Sequence, residues 1–269
     1  MQHLDSYFLG EKLYGDDFTS EEIEKWYKDE KEAYAELGSK DKENYQYNYH
    51  TINLINGFSK LPKDKVFNKV LGIGSAFGYE FEPIKDRIQN LVILEPSDQL
   101  ISGEVFGIPT TYKKPEISGK IHFPDQSFDL VICFGVLHHV PNVSFVLHEI
   151  HRCLKPRGYF LLREPITSMG DWRYPRPGLT KRERGIPLNI FRNIIRKLNF
   201  EVVRERFCFF PHLTYHLVNL LKYPVYKHKF MVYLDNLFSA LFAWNIRYHR
   251  VNKWQRISPT NVFYVLQKK

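Results

Sequence analysis

Three groups of residues in this 269-residue chain have types and spacing suited to chemistry. The first is a glycine turn, Gly72-Ile73-Gly74-Ser75, with Gly78 shortly after it, closing the apolar run Val70-Leu71. Such glycines remove side chains where a ligand approaches the backbone. The spacing is G-x-G-x-x-x-G. It departs from the dinucleotide fingerprint because Phe77 stands where that pattern needs its third glycine. No Gly-Lys-Ser/Thr follows, so the turn is not a phosphate-cradling P-loop. The second group is Glu95-Pro96, which ends the run Leu91-Val92-Ile93-Leu94. A carboxylate there is placed to accept hydrogen bonds from a ribose diol. The third is His138-His139, with Glu164 at the end of a later apolar run. A neutral imidazole near its unperturbed pKa of about 6.5 can take a hydroxyl proton. Glu164 is placed to orient that imidazole or to bind substrate, and Arg163 lies beside it. His138 is the expected base, with His139 nearer the ligand on the glycine turn.

The elements that must position these groups alternate. Strands are expected over residues 69–73, 91–94, 109–112, 128–134, 159–162, 200–209 and 261–267. Helices are expected over 77–88, 142–154 and 188–198. The run Phe128–Phe134 is almost continuously apolar, as in a strand covered on both faces. Lys155-Pro156-Arg157-Gly158 should break the preceding helix. This alternation predicts a parallel α/β sheet with helices on both faces and its ligand site at the carboxyl ends of the strands.

Before the sheet, residues 18–61 read as polar and helical. Thr19-Ser20-Glu21-Glu22 is a capped start with early acids. Tyr45, Tyr49, Ile52 and Asn56 follow helical spacing, either as a packing face or as a lid. Between the sixth and seventh strands lie about fifty residues, too long for a structureless connection. Phe230, Leu234, Leu237, Phe238, Leu241 and Phe242 share one helical face there. The expected organisation is an N-terminal helical cap (1–62) and one α/β domain (63–269). That domain carries a polar loop (166–187) and a helical insert (209–258).

Charge sharpens this picture. The chain carries +8 overall. From Arg206 onward there are ten Lys or Arg and one acid, Asp235, so the basic excess lies in the C-terminal quarter. Three scattered cysteines fit neither a disulfide framework nor a metal motif. No signal peptide or membrane-spanning stretch is read, so a cytoplasmic location is expected.

The segment Ile121–Val140, with Phe123-Pro124-Asp125 and Phe134-Gly135-Val136-Leu137-His138-His139, resembles the fourth-strand region of class I S-adenosylmethionine-dependent methyltransferases. Glu149–Tyr159, with Leu154-Lys155-Pro156-Arg157-Gly158, is similar to the helix that leads into their fifth strand. With the glycine turn and Glu95, the resemblance covers about residues 66–165. It implies a Rossmann-like, mostly parallel seven-stranded sheet with an antiparallel last strand. It also implies S-adenosylmethionine as cofactor and S-adenosylhomocysteine as product. The implied cofactor contacts are Gly72, Ile73, Gly74, Ser75, Gly78, Glu95, Pro96, Ile117, Ser118, Phe134, Gly135, Val136 and His139. Gly72 departs from the family, which usually has an acid there. Ala76 replaces its middle glycine, and Ile117-Ser118 stand where many relatives have an acid followed by alanine.

The resemblance implies methyl transfer, with His138, His139 and Glu164 as candidate catalytic groups for an O-methylation. Tyr49, Arg163, Arg173, Arg176, Arg182 and Arg184 are the expected substrate contacts, because arginines bind phosphate and carboxylate in a bidentate way. They point to a polar, anionic acceptor such as a sugar nucleotide or a surface-glycan component, placing the chain in polysaccharide biosynthesis. Carbon methylation of a membrane quinone precursor and a non-catalytic scaffold that keeps the fold are the competing readings. The basic, aromatic insert (207–256) has three readings: a cap on the pocket, a homodimer interface, or a contact with the inner face of an anionic membrane, with Lys222, Lys227, Lys229 and Arg247 on its polar side. A monomer or homodimer is expected, and a nucleic-acid partner is not, since no binding motif accompanies the charge.

Overall fold

The computed structural model describes residues 2–30, 42–43, 45–214 and 224–269. Seven strands form one sheet in the order β3-β2-β1-β4-β5-β7-β6. They are β1 (Val70–Ile73), β2 (Leu91–Leu94), β3 (Thr110–Lys113), β4 (Phe128–Phe134), β5 (Leu154–Pro165), β6 (Phe200–Cys208) and β7 (Asn261–Lys268). The pairs among β1 to β5 are parallel. Strand β7 runs antiparallel between β5 and β6. The chain crosses over between β3 and β4, so β1 and β4 lie side by side with β2 and β5 outside them. Their carboxyl ends therefore bring the glycine turn, Glu95 and the His138 turn to one edge.

Helices cover both faces. On one, α4 (Val143–Cys153) and α5 (Leu188–Lys197) pack Val143, Leu147, Ile150, Phe191 and Ile195 against Leu71, Val131, Phe160 and Leu162. On the other, α3 (His50–Asn56) and α6 (Lys229–Leu241) join Ile52, Phe81 and Val232 to Val70, Leu130 and Ile132. The alternating side chains of β1 and β4 feed both cores, which is why these strands read as almost continuous apolar runs.

Several expected elements shift. The segment after the glycine turn is a 3₁₀ helix, Tyr79–Arg87, where an α-helix was expected. Pro83 lies inside it and cannot donate to an α-helical ladder. Strand β5 starts at Leu154, before Lys155-Pro156-Arg157-Gly158. Those residues are taken up by a bulge opposite Phe128–Leu130, with Arg157 at a φ of 60°. In the N-terminal region the helices are α1 (Gln2–Phe8) and α2 (Ser20–Glu30), and residues 45–49 are not helical. The remainder of the expected helix, 31–41 and 44, lies outside the described residues. The start of α2 is a capping box: the Thr19 amide donates to Glu22 Oε2 (2.9 Å) and the Glu22 amide to Thr19 Oγ1 (3.3 Å).

The apolar face expected on the insert also divides. On α6, Phe230, Leu237 and Leu241 point to solvent, whereas Asp235, Asn236 and Ser239 face the sheet. Asp235 accepts the Phe209 and Phe210 amides at 2.9 and 2.7 Å, and Asn236 exchanges two amide hydrogen bonds with Asn56. Polar pairing decides which side of this helix turns inward.

The loop after β5 is clamped at Gly185. Its amide donates to Thr167 O at 3.0 Å, and a Cβ there would lie 2.1 Å from the same oxygen. Gly185→Ala should therefore destabilise the fold by about 1–3 kcal/mol, the usual range for overpacking. Urea unfolding of the full chain would measure this.

Candidate active site

A cavity opens at the carboxyl ends of β1, β2 and β4. Ile73, Gly74, Glu95, Pro96, Ile117, Phe134, Gly135, Val136 and His139 line it, as expected for a ligand on the glycine turn. Gly72, Ser75, Gly78 and Ser118 do not. They shape the site from behind. Ser118 offers its carbonyl to Asn142 Nδ2 at 2.7 Å, and Asn142 itself lines the cavity. Gly74 has a φ of 60° and faces Val136 so closely that a Cβ would fall 2.7 Å from its methyl group. A side chain fails there on both counts.

The absence of an acid at Gly72 has a steric cause. A Cβ at that position would meet Ser75 Oγ at 2.4 Å and the Phe81 ring at 2.8 Å. The buried carboxyl near this turn belongs instead to Glu80, which burial pushes up to about 7. Glu95 is buried and fixed from both sides. The Ala76 amide donates to Oε2 and the Ser97 amide to Oε1, each at 3.0 Å. A carboxylate has about four acceptor sites, so it can take two amides and still accept ribose hydroxyls. A carboxylate acceptor, a side-chain-free turn and apolar walls from Ile73, Leu94, Ile117 and Val136 fit an adenosine-bearing ligand.

The histidine pair divides into two different environments. His138 is buried and lies outside the cavity lining. Its Nδ1 is 2.8 Å from Glu164 Oε2 and its Nε2 is 3.4 Å from Glu183 Oε1. Burial pulls its pKa down, but the two carboxylates outweigh this and push it up to about 9. It is an imidazolium at neutral pH, with both nitrogens donating. These surroundings speak against the expectation that His138 is the base, because both ring nitrogens face carboxylates and the ring does not line the cavity. Glu164, fully buried, accepts the amides of Val136 (2.8 Å), Leu137 (2.9 Å) and His138 (3.3 Å), so it holds the turn rather than a substrate.

His139 lines the cavity. Its Nδ1 is 2.9 Å from Glu30 Oε2, at the end of α2. A carboxylate only accepts, so Nδ1 carries the proton and the lone pair of the neutral ring sits on Nε2. Burial and the neighbouring His138 cation lower its pKa, against the pull of Glu30 and Glu183. The two rings lie 4.2 Å apart, which is how one fixed charge keeps the other ring neutral. Glu30 also accepts Thr180 Oγ1 at 2.5 Å and the Arg182 amide at 2.9 Å. Burial raises its pKa, but these hydrogen bonds hold it below the usual carboxylate range. Trp26 of α2 is fully buried and donates from Nε1 to His139 O at 2.7 Å. His138, His139 and Glu183 bring ligand-type atoms within 4.8 Å of one another, and the imidazole–carboxylate pairing accounts for that closeness.

The expected substrate arginines serve the protein itself. Arg184 is fully buried and donates to five carbonyls, of Tyr14, Leu137, His138, Val140 and Pro141. Arg176 donates to Met169 O, Thr180 O and Lys181 O. Arg173 pairs with Asp171 and Arg182 with Asp29. Arg163 is buried against Asn53 Oδ1 at 2.8 Å, with Tyr49 stacked at 4.4 Å. None of these side chains, nor Tyr49, lines the cavity. Among the described residues of the 207–256 insert none lines it, and Lys222 lies outside the described residues. The sequence reading missed Trp26, Tyr27 and Glu30 from α2, and Glu183. Glu30 sits in a run of alternating Lys and Glu that reads as a solvated helix face.

The family model described as "Methyltransferase domain" matches residues 44–205, and the chain belongs to that family. It is a class I methyltransferase with S-adenosylmethionine as cofactor and S-adenosylhomocysteine as product. Among solved structures, an S-adenosylmethionine-dependent methyltransferase from Mesorhizobium loti superposes with a TM-score of 0.51 at 16% identity, covering 78% of this chain and 95% of that one. A putative methyltransferase in complex with the Trm112 activator from Haloferax volcanii gives 0.53 at 14%, covering 82% and 89%. Among curated proteins, the chain is 25% identical over 100 residues to the uncharacterized methyltransferase YcgJ of Bacillus subtilis (strain 168), covering 35% of this chain and 40% of the relative. It is 35% identical over 82 residues to a fatty-acid O-methyltransferase of Mycolicibacterium smegmatis, covering 30% and 27%. The matches thus span less than half the length of these curated relatives. Among the described residues no helix is long and apolar enough to cross a membrane.

Two outcomes are expected. Glu95→Ala should weaken S-adenosylhomocysteine binding by about ten- to a hundredfold, the worth of hydrogen bonds to a charged group, as read by calorimetry. The His138 pairing should stabilise the fold fully below pH 6.5, and that contribution should vanish as the pH rises through about 9. Urea unfolding from pH 6.5 to 10 should show this alkaline loss in the native chain, and His138→Gln should flatten it.

Proposed function

We propose that the chain is an O-methyltransferase whose acceptor is a hydroxyl group, with His139 as the general base and Glu30 as its positioning partner. The observation that carries this is an imidazole on the cavity wall, its Nδ1 held at 2.9 Å by a buried carboxylate. Bound S-adenosylmethionine supplies an activated methyl group on a sulfonium, so the protein's task is orientation and proton removal. Glu95 and the Gly74 turn hold the nucleoside. His139 Nε2 takes the proton that the acceptor hydroxyl gives up, and the imidazolium that results is stabilised by Glu30. Trp26 and Tyr27 close the wall opposite the turn and limit water. Two curated relatives named as O-methyltransferases, one for fatty acids and one for ubiquinone biosynthesis, support oxygen as the accepting atom. The anionic acceptor expected from the loop arginines loses its support, because those side chains are spent on internal partners.

His139→Asn should lower kcat by about a hundredfold or more while S-adenosylhomocysteine affinity changes little, as measured by methyl transfer from radiolabelled cofactor. In the native chain kcat should fall on the acid side, with its midpoint below 6.5. Glu30→Gln should move that midpoint lower still, because the Glu30 carboxylate raises the His139 pKa. A kcat unchanged in His139→Asn would remove the base assignment.

A further inference from the structure

Helix α6 is built inside out. Its inward face is held by polar pairs, Asp235 to the Phe209 and Phe210 amides and Asn236 to Asn56. Its outward face carries Phe230, Tyr233, Leu237 and Leu241, at i, i+3, i+7 and i+11, in one stripe along the helix. Trp244 extends the stripe in the turn that follows. Trp254 stands exposed in a further turn, which Asn245 Nδ2 ties to that of Trp244 by donating to the Trp254 carbonyl at 2.7 Å. Phe230, Trp244 and Trp254 are 73%, 73% and 78% exposed. Contiguous apolar surface of this kind marks a contact site rather than ordinary solvent-facing surface.

The charges around the stripe choose the partner. Lys227, Lys229, Arg247, Lys253 and Arg256 are all exposed and flank it. From Arg206 to the end the chain has one acid, Asp235, and that carboxylate is buried under the helix. A second copy of this chain would set the basic flank against itself in a two-fold contact, which like charges oppose. An anionic bilayer offers the complement to both parts. Its headgroups attract the lysines and arginines, and its interfacial zone suits Trp, Tyr and Phe on a surface-lying helix.

We propose that α6 and the two turns after it form a docking surface for an anionic lipid bilayer, held at the interface and not inserted across it. This stands apart from the assignment of methyl transfer, since no residue of the stripe lines the cavity. The test is sedimentation of the full chain with vesicles of phosphatidylcholine and phosphatidylglycerol at 70:30, and with pure phosphatidylcholine. The chain should pellet with the first at 50 mM salt, at least tenfold less with the second, and release at 500 mM salt. Leu237→Asp and Trp244→Ala/Trp254→Ala should each lower the bound fraction at least tenfold while leaving S-adenosylhomocysteine binding unchanged. These side chains face solvent, so loss of the fold is not expected, and circular dichroism checks it. Absence of pelleting with either vesicle overturns the proposal. So does equal pelleting with both, or a dimer in sedimentation velocity that Leu237→Asp dissolves.

Discussion

The active-site edge of this protein depends on a carboxylate withdrawn completely from water. Glu164, at the end of β5, gathers three consecutive amides of the turn after β4 and the ring of His138. An isolated charge in such a place would be prohibitive, and its cost is offset only because every acceptor position is used. The turn after β4 therefore has one shape available to it. Arg184 fixes the same turn from the opposite side by binding its carbonyls, so donors and acceptors of one short segment are both satisfied by buried side chains. Removing either side chain would strand the buried backbone groups it satisfies.

Rigidity at this point serves an electrostatic arrangement. Adjacent histidines in a shared environment would titrate together, as coupled sites do. Here they are separated by their carboxylates. His138 lies between Glu164 and Glu183 and keeps its proton. His139 has the field of that cation on one side and Glu30 on the other, and stays neutral. Two identical side chains in sequence thus meet opposite electrostatic surroundings. The same logic, pKa values pushed apart by environment, lets one site hold acid and base forms side by side.

The sheet and half the site were legible in the sequence for a simple reason: their signals are local. The bounds of β2 and β4 follow from almost continuous apolar runs, and Glu95 is marked by its position at a strand end. The turn glycines are marked by the backbone they must allow. The rest was hidden because its meaning lies in distant partners. Glu30 meets a ring 109 residues away, and nothing in its Lys- and Glu-rich surroundings announces that. The loop arginines had the right chemistry for an anion, yet carbonyls and carboxylates of this chain satisfy them first. Helix α6 followed a hydrophobic pattern that normally turns inward, but Asp235 and Asn236 override it, because their partners lie in the segment after β6 and on α3. Pro83 was visible, and its cost to an α-helix was underweighted.

The dependence of His139 on α2 also bears on when the enzyme comes into being. Glu30 leaves the ribosome early, but its contacts at His139, Thr180 and Arg182 are 109, 150 and 152 residues further along the chain. At about 5–20 residues per second, the helix must wait roughly five to thirty seconds for its partners to emerge. Strands β1 to β4, with the glycine turn and Glu95, are complete just before His139 emerges, and more than forty residues before Thr180 and Arg182. A nascent chain therefore acquires the means to grip an adenosine before it acquires an oriented imidazole. The oriented imidazole arrives only when α2 folds back over the carboxyl edge of the sheet.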